Sequence, residues 1–404
     1  MVQQLLSKVR DNGFVYEGTY EGWYCPRCAD FKAENEIDEG NRCPIHHIEL
    51  TREQEENYFF KLSAFQQQLE DLYADQEDFV CPRTRYNEAL SFIRSGLRDV
   101  PLTRHKLTWG VQVPWDPEHV FYVWFDALLN YYTALTYAPT GEVRMWPANL
   151  HLIAKDILRF HTVYWPALLM AAEMELPQRV FVHGYLLMEG EKMSKSLGNV
   201  LDPFEVIERF GADALRFYLL RDVPFGQDGS VSTAAFELRY ETELANELGN
   251  LASRTIGMLA RYRDGAVSKG DPDPVLAADF AGLTERFCEL MDGVELTLAL
   301  DEVWQRVRRL NRYVEEQAPW QLAKDPDRAG ELDRVLRTLV EGLRSVAVLL
   351  WPYLPASCER LLGALGAPGL SLGGATLGAG SIEHVEPLEV LFPKEPAPPA
   401  VEAS

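Results

Sequence analysis

The chain has 404 residues, 47% of them hydrophobic and 25% charged, and a formal net charge of −22 at pH 7. This length predicts two or three domains, and the acidic balance excludes sequence-blind adhesion to nucleic acid or anionic lipid, leaving room for a local basic face that reads one folded RNA. No apolar run reaches membrane-spanning length, the opening MVQQLLSKVRDNGF lacks a secretory core, and six cysteines are too few for a disulfide scaffold, so a cytoplasmic protein with no membrane partner is expected.

In chain order, Val2, Leu5, Leu6 and Val9 recur at helical spacing, and Asn12-Gly13 ends that helix. Phe14–Tyr24 alternates aromatic and polar residues, as in a strand pair. Two turns of the form C-P-x-[CH] follow, Cys25–Cys28 and Cys43–His46. Each turn can point two ligands at one ion. Three thiolates with one imidazole suit a structural Zn2+, and four protein ligands leave no open position for chemistry. His47 competes with His46, but the repeated pattern favours His46. Asn57–Phe60 reads as a strand, Leu62–Tyr73 as a helix, and 87–95 as a helix stopped by Gly96. Pro101–Pro114 is extended and returns the chain to a second body.

From there strand–helix alternation predicts a parallel α/β sheet. His119–Trp124 leads to a helix near Asp126, Asn149–Ala154 to Lys155-Asp156 and a helix through Ala172, and Val180–His183 to the turn before KMSKS. Charged and aromatic side chains thus recur just past strand ends, where open α/β sheets hold ligands. The loop Lys192-Met-Ser-Lys195-Ser carries two point charges that can follow a polyphosphate through reaction. After Gly226-Gln227-Asp228 the pattern becomes helical over 233–262, 276–296, 298–317 and 330–351, and Arg306, Arg308, Arg309 and Arg312 form a basic patch suited to RNA phosphate. From Gly363 the Gly/Ala/Pro-rich composition predicts a flexible tail.

The KMSKS loop, preceded by a strand and HGY, resembles the signature loop of class I aminoacyl-tRNA synthetases. FVYEGTYEGWYC with its knuckles, YVWFDALLNY, IAKDILRFHTVYWPALL, HGYLLMEGEKMSKSLGN, RDVPFGQDG, NELGNLASR and EEQAPW are together similar to the methionyl branch, in order from residue 1 to about 360. The resemblance implies an incomplete Rossmann-like parallel sheet with a zinc-knuckle insert, followed by an all-α anticodon-binding bundle. The implied domains are insert 1–97, catalytic half 98–232, bundle 233–362 and tail 363–404. The implied activity is methionine activation by ATP with Mg2+ and transfer to tRNA(Met), initiator tRNA included. Trp124 would close over the methionine side chain, Ala127 and Tyr131 would line it, and His161 would sit at its base, where aromatic faces suit a thioether. Asp156 would meet the ammonium or the ribose. Lys192 and Lys195 would neutralise pyrophosphate, His183-Gly184 would hold adenine, and Arg104 is a further phosphate candidate. Asn246, Asn250, Arg254 and Trp320 would read the CAU anticodon, by hydrogen bonds and stacking.

One element of the class is not found: the strand and helix start bearing a HIGH-type tetrapeptide. A late start codon, a gene fragment, or a split enzyme with a separate N-terminal half as partner would each account for it, and poor activity alone is expected. The rival is a catalytically deficient tRNA-binding module, favoured by the lack of HIGH and disfavoured by KMSKS, Trp124, Asp156 and His161. A class I synthetase for another apolar amino acid is disfavoured by the single-knuckle insert and the APW segment. Ala154 stands where the family usually has glycine.

Overall fold

The structure, a computed structural model, describes the chain except residues 28–29, 33–36, 45, 106, 138–144, 189–190, 193–201, 368, 370 and 395–404. It divides into two compact units, Met1–His183 and Gly184–Ser404.

In the first unit, α1 (Val2–Asp11) buries Leu5, Leu6 and Val9. The aromatic alternation that follows is one long strand and not a strand pair: β1 (Val15–Cys25), with β2 (Asp30–Lys32) on one side and β3 (Thr51–Phe60) antiparallel on the other, Val15 opposite Phe60 and Tyr24 opposite Thr51. Tyr16 stacks on Phe59 across this pair, and a Cβ on Gly18 would meet the Phe59 ring at 3.3 Å. Then come α2 (Gln66–Asp75), β4 (Val80–Cys81), α3 (Arg83–Arg94), which stops before Gly96 at φ +93°, and the short strands β5 (Val100–Pro101), β6 (Thr103–Arg104) and β7 (Gln112–Val113).

The strand expected over His119–Trp124 is β8 (Asp116–Phe121), and it pairs antiparallel with β6 and β7 instead of entering a parallel sheet. Tyr122 ends it, so Trp124 sits in the first turn of α4 (Val123–Leu128), followed by α5 (Asn130–Thr133). Among the described residues the parallel sheet has three strands, β4, β10 (Val180–His183) and β9 (His151–Ala154), with β10 central and Val180 opposite both Val80 and His151. The intervening α6 (Trp165–Ala171) is almost wholly buried. A single core joins Phe60, Phe65, Tyr73, Phe125, Trp165 and Val180, so no break in packing falls at the insert boundary expected near residue 97.

In the second unit, β11 (Leu186–Met188) pairs with β12 (Glu191–Lys192) and, beyond α7 (Pro203–Phe210) and α8 (Ala212–Arg221), with β13 (Gly229–Val231). Asp202 caps α7 by accepting from the Phe204 amide. The remainder is helical. α9 (Thr233–Arg239) passes through a π-helical segment, Tyr240–Gly249, into α10 (Asn250–Arg263), and α11 (Pro274–Phe280), α12 (Leu283–Asp292), α13 (Leu296–Gln317), α14 (Pro319–Leu322), α15 (Ala329–Leu350) and α16 (Pro355–Ala364) follow. The amphipathic α13 and α15 meet closely at Gly342, where a Cβ would fall 2.4 Å from Leu310.

The flexible tail is corrected over most of its length. Residues 371–394 return to the helices and bury Ala375, Ile382, Val385, Leu391 and Phe392. Their anchor is an ion pair inside α15. Glu341 Oε2 accepts from Arg344 at 2.9 Å and from the amides of Gly378 and Gly380 at 3.1 and 3.2 Å, while Arg344 donates to Thr376 O at 2.6 Å. Among the described residues, no helix is long and apolar enough to cross a membrane.

Candidate active site and RNA-facing surface

Three of the expected pocket residues converge in the first unit. His161 lies in a five-residue π turn, Phe160–Tyr164, between β9 and α6, and is buried. Its Nδ1 is 3.0 Å from Ile157 O, so Nδ1 donates there and Nε2 is left to accept from the Tyr131 hydroxyl at 2.7 Å. Burial holds the His161 pKa below its ordinary value and raises that of Tyr131, so both groups are neutral partners. Trp124 stacks on Phe160 with centroids 4.1 Å apart and planes at 15°. Ala127 is half-buried on α4, one turn from Trp124. Asp156 is exposed in the 3-10 turn that ends β9.

Two partners escaped the sequence reading. Phe160 is the platform under Trp124, and its position next to His161 was the signal available. His151 opens β9, is 4% exposed, and lies 4.2 Å from the Tyr131 ring centroid, with the Trp165 indole donating to its Nε2 at 3.2 Å. A cavity of about 390 Å3, lined by Tyr131, Trp146, Leu150 and His151 among others, adjoins this pair.

Burial and the neighbouring His161 push the His151 pKa down to about 4. An unfolded histidine titrates near 6.5, so between these values the unfolded chain binds more protons. The stability contributed by neutral His151 is therefore complete above about pH 6.5 and is lost as pH falls toward 4. Unfolding of the first unit in urea is expected to be roughly 2 kcal/mol easier at pH 5 than at pH 7, and His151→Phe should flatten that slope.

The phosphate-side residues are placed less completely. His183 ends β10 and is half-buried. Gly184 opens the second unit against the Gln227-Asp228 backbone, where a Cβ would lie 2.3 Å from Gln227 C, so glycine is required. Tyr185 N donates to Asp228 Oδ1 at 2.8 Å, which joins the HGY and GQDG segments. Lys192 is in β12, its backbone opposite Leu187, and Lys195 lies outside the described residues. Arg104 is 3% exposed, with its guanidinium 4.1 Å from the Tyr122 ring centroid and donating to Thr103 O, so it does not stand on an open face.

Cys25 and Cys43 are buried, and His46 Nδ1 lies 3.8 and 3.7 Å from their sulfurs. Tetrahedral ligands with ordinary zinc bond lengths stand about 3.6 Å apart, so the donor set fits that ion. His47 is turned toward Asp38, at 3.7 Å, so His46 is the histidine of that turn grouped with Cys25 and Cys43 as a candidate ligand. Cys28 lies outside the described residues.

On the helices, Asn246 is half-buried and Asn250 exposed, and Arg254 is tied to Glu315 at 2.7 Å with its guanidinium 5.9 Å from the Trp320 ring centroid. Glu315 was missed, although it stands in the EEQAPW segment. The basic patch is corrected: Arg306 pairs with Glu302, Arg308 with Glu243 and Glu247, and Arg309 with Asp279 and Glu316, while Arg312 is exposed.

A family model described as tRNA synthetases class I (M) matches residues 39–256, so the fold and the site define a class I tRNA synthetase. A methionine–tRNA ligase of Caldanaerobacter subterraneus is 44% identical over 373 residues, covering 91% of this chain and 58% of the relative. One from Brucella melitensis is 47% identical over 369 residues, covering 88% of this chain and 71% of the relative. The Mycobacterium tuberculosis methionyl-tRNA synthetase, solved with methionyl-adenylate, superposes with a TM-score of 0.90 at 40% identity, covering 97% of this chain and 80% of that one. The chain belongs to the methionine–tRNA ligase family. It spans 58% of the length of the Caldanaerobacter relative and 57% of the one from Clostridium acetobutylicum.

Proposed function

We propose that this chain carries the methionine-selecting and pyrophosphate-facing parts of a methionine–tRNA ligase, with insert, catalytic half and anticodon-binding bundle in the order read from the sequence. The observation that carries this reading is the neutral Tyr131–His161 hydrogen bond beside the Trp124–Phe160 stack, an apolar, polarisable setting for a thioether. An RNA-binding module has no need of it.

The methionine carboxylate attacks the α-phosphorus of ATP, the bond to the bridging oxygen of the β-phosphate breaks, and pyrophosphate leaves. The 3′-terminal ribose hydroxyl of tRNA(Met) then attacks the adenylate carbonyl and AMP departs. Catalysis is positioning plus charge stabilisation. Trp124, Ala127, Tyr131 and His161 hold the side chain, and Asp156, exposed after β9, meets the ammonium or the ribose. His183 and Gly184 hold adenine. Lys192 and Lys195 meet the leaving pyrophosphate, to which Mg2+ travels as part of the ATP substrate. Arg104, being buried, is left to packing. Asn246, Asn250, Arg254 and Trp320 meet the anticodon. The chain, supplied with a HIGH-bearing segment, should esterify tRNA(Met) with methionine; charging with leucine instead would refute the assignment.

Zn2+ on Cys25, Cys28, Cys43 and His46 would cross-link the two knuckles and take no part in the reaction. Treatment with a strong chelator is expected to release one zinc per chain and lower the melting temperature of the first unit, with Cys43→Ser doing the same. A metal-free chain of unchanged stability would remove zinc from the account.

A further inference from the structure

The segment Tyr240–Gly249 is a ten-residue run of π-helix joining α9 to α10. Such wide turns are rare, collect at functional sites, and need side chains to hold them. Here two carboxylates do so. Glu243 accepts from Arg221, Arg239 and Arg308, and Glu247 accepts from the Trp304 indole at 2.6 Å and from Arg308 Nε at 3.1 Å on both oxygens. The Glu247 carbonyl also accepts from Asn311 Nδ2 at 3.1 Å, so side chain and backbone of this one residue are both fastened to α13. Gly249 closes the wide turn where a Cβ would sit 3.1 Å from Leu244 O.

Asn246 and Asn250 flank this fastening, one residue before Glu247 and three after it, on a neighbouring side of the helix. Asn246 lies within the π segment, whereas Asn250 opens α10 and stands with Arg254 on the α side of the junction, where α10, α13 and α14 set Arg254 and Trp320. The placement of Asn246 relative to Asn250 and the Arg254–Trp320 pair is therefore fixed by how many residues the turn accommodates. If the π segment relaxed to α geometry, Asn246 would keep to the same face as Asn250 but rotate about the helix axis relative to Arg254.

We propose that Glu247 is a positioning residue for anticodon discrimination: by anchoring the π turn to Trp304 and Arg308 it sets the placement of Asn246 against Asn250, Arg254 and Trp320. This rests on the reading that Asn246 and Asn250 contact bases. Glu247 itself contacts no RNA; its effect falls on selectivity and not on general affinity.

The test uses the full chain and two short RNA stem-loops, with CAU or CAC in the loop, titrated at one fixed salt concentration. Glu247→Leu is expected to weaken CAU binding about tenfold and CAC binding less than about twofold, so that selectivity collapses. Glu247→Gln, which keeps an acceptor for Trp304, should restore most of the selectivity. A role confined to stability would lower the melting temperature and weaken both RNAs alike. Trp304→Phe removes the N–H donor along with part of the buried ring and should narrow selectivity in the same direction, which keeps the test open should Glu247→Leu fail to fold. Unchanged selectivity in folded Glu247→Leu, with selectivity lost in Asn246→Ala, overturns the role of Glu247. Unchanged selectivity in Asn246→Ala overturns the base-reading assignment, and the inference with it.

Discussion

Tyr131→Phe should raise the methionine concentration needed for half-maximal ATP–pyrophosphate exchange by about tenfold or more, with little change in the requirement for ATP. The substitution keeps the ring against His151 but removes the hydroxyl that donates to His161 Nε2 at 2.7 Å. His161 is buried and its Nδ1 is already committed to Ile157 O, so Nε2 is left as an acceptor without a donor inside the pocket wall. An unsatisfied buried group costs about 1–3 kcal/mol, which is about fivefold to more than a hundredfold in an equilibrium constant. The imidazole could recover a partner only by turning, which would move the pocket base. His161→Ala removes that base altogether and should cost more. A Tyr131→Phe protein with the methionine requirement of the parent would mean that the Tyr131–His161 pair packs the core and does not face the substrate.

The second large effect is expected far from chemistry. Glu341→Ala should destabilise the second unit by ~3–5 kcal/mol, because it strands the Arg344 guanidinium in a buried site. It also strips the acceptor from the amides of Gly378 and Gly380. Residues 371–394 should become sensitive to protease while α13 and α15 stay resistant. The pair Glu341→Leu with Arg344→Met should recover only part of the loss, since it removes the stranded charge but leaves the two amides without an acceptor. Urea unfolding and limited proteolysis check both statements; a Glu341→Ala protein as stable as the parent would show that the strap is held by Ile382, Leu391 and Phe392 alone.

What the sequence disclosed follows from the range of the forces involved. The turns bearing Cys25, Cys43 and His46 were legible because ligand chemistry acts over a few residues, whereas Trp124, Ala127 and Tyr131 came from the resemblance, with Trp124 expected at a strand end and found in the first turn of α4. The π turn that aims His161 was not legible, since its geometry is set by packing of β9 and α6 around it. The antiparallel pairing of β8 was missed because partner choice is non-local: β6 and β7 are short, and their composition does not announce a sheet. Arg308 and Arg309 looked free because Glu243, Glu247 and Asp279 arrive from other helices, whereas Glu302, the partner of Arg306, stands one turn away on α13 itself. Residues 371–394 read as a tail because glycine and proline recur there without a helical or strand period, while the apolar anchors are widely spaced and the ion pair that receives them lies in α15.

Methionine-dependent ATP–pyrophosphate exchange tests the central claim most directly. It should be measured on the 404-residue chain alone and mixed with a segment bearing the HIGH-type tetrapeptide. The expected result is exchange in the mixture that requires methionine, is not supported by leucine, and is lost in His161→Ala. A folded chain that gives no methionine-dependent exchange in either condition, yet still binds the CAU stem-loop, would contradict the assignment and leave an RNA-binding module.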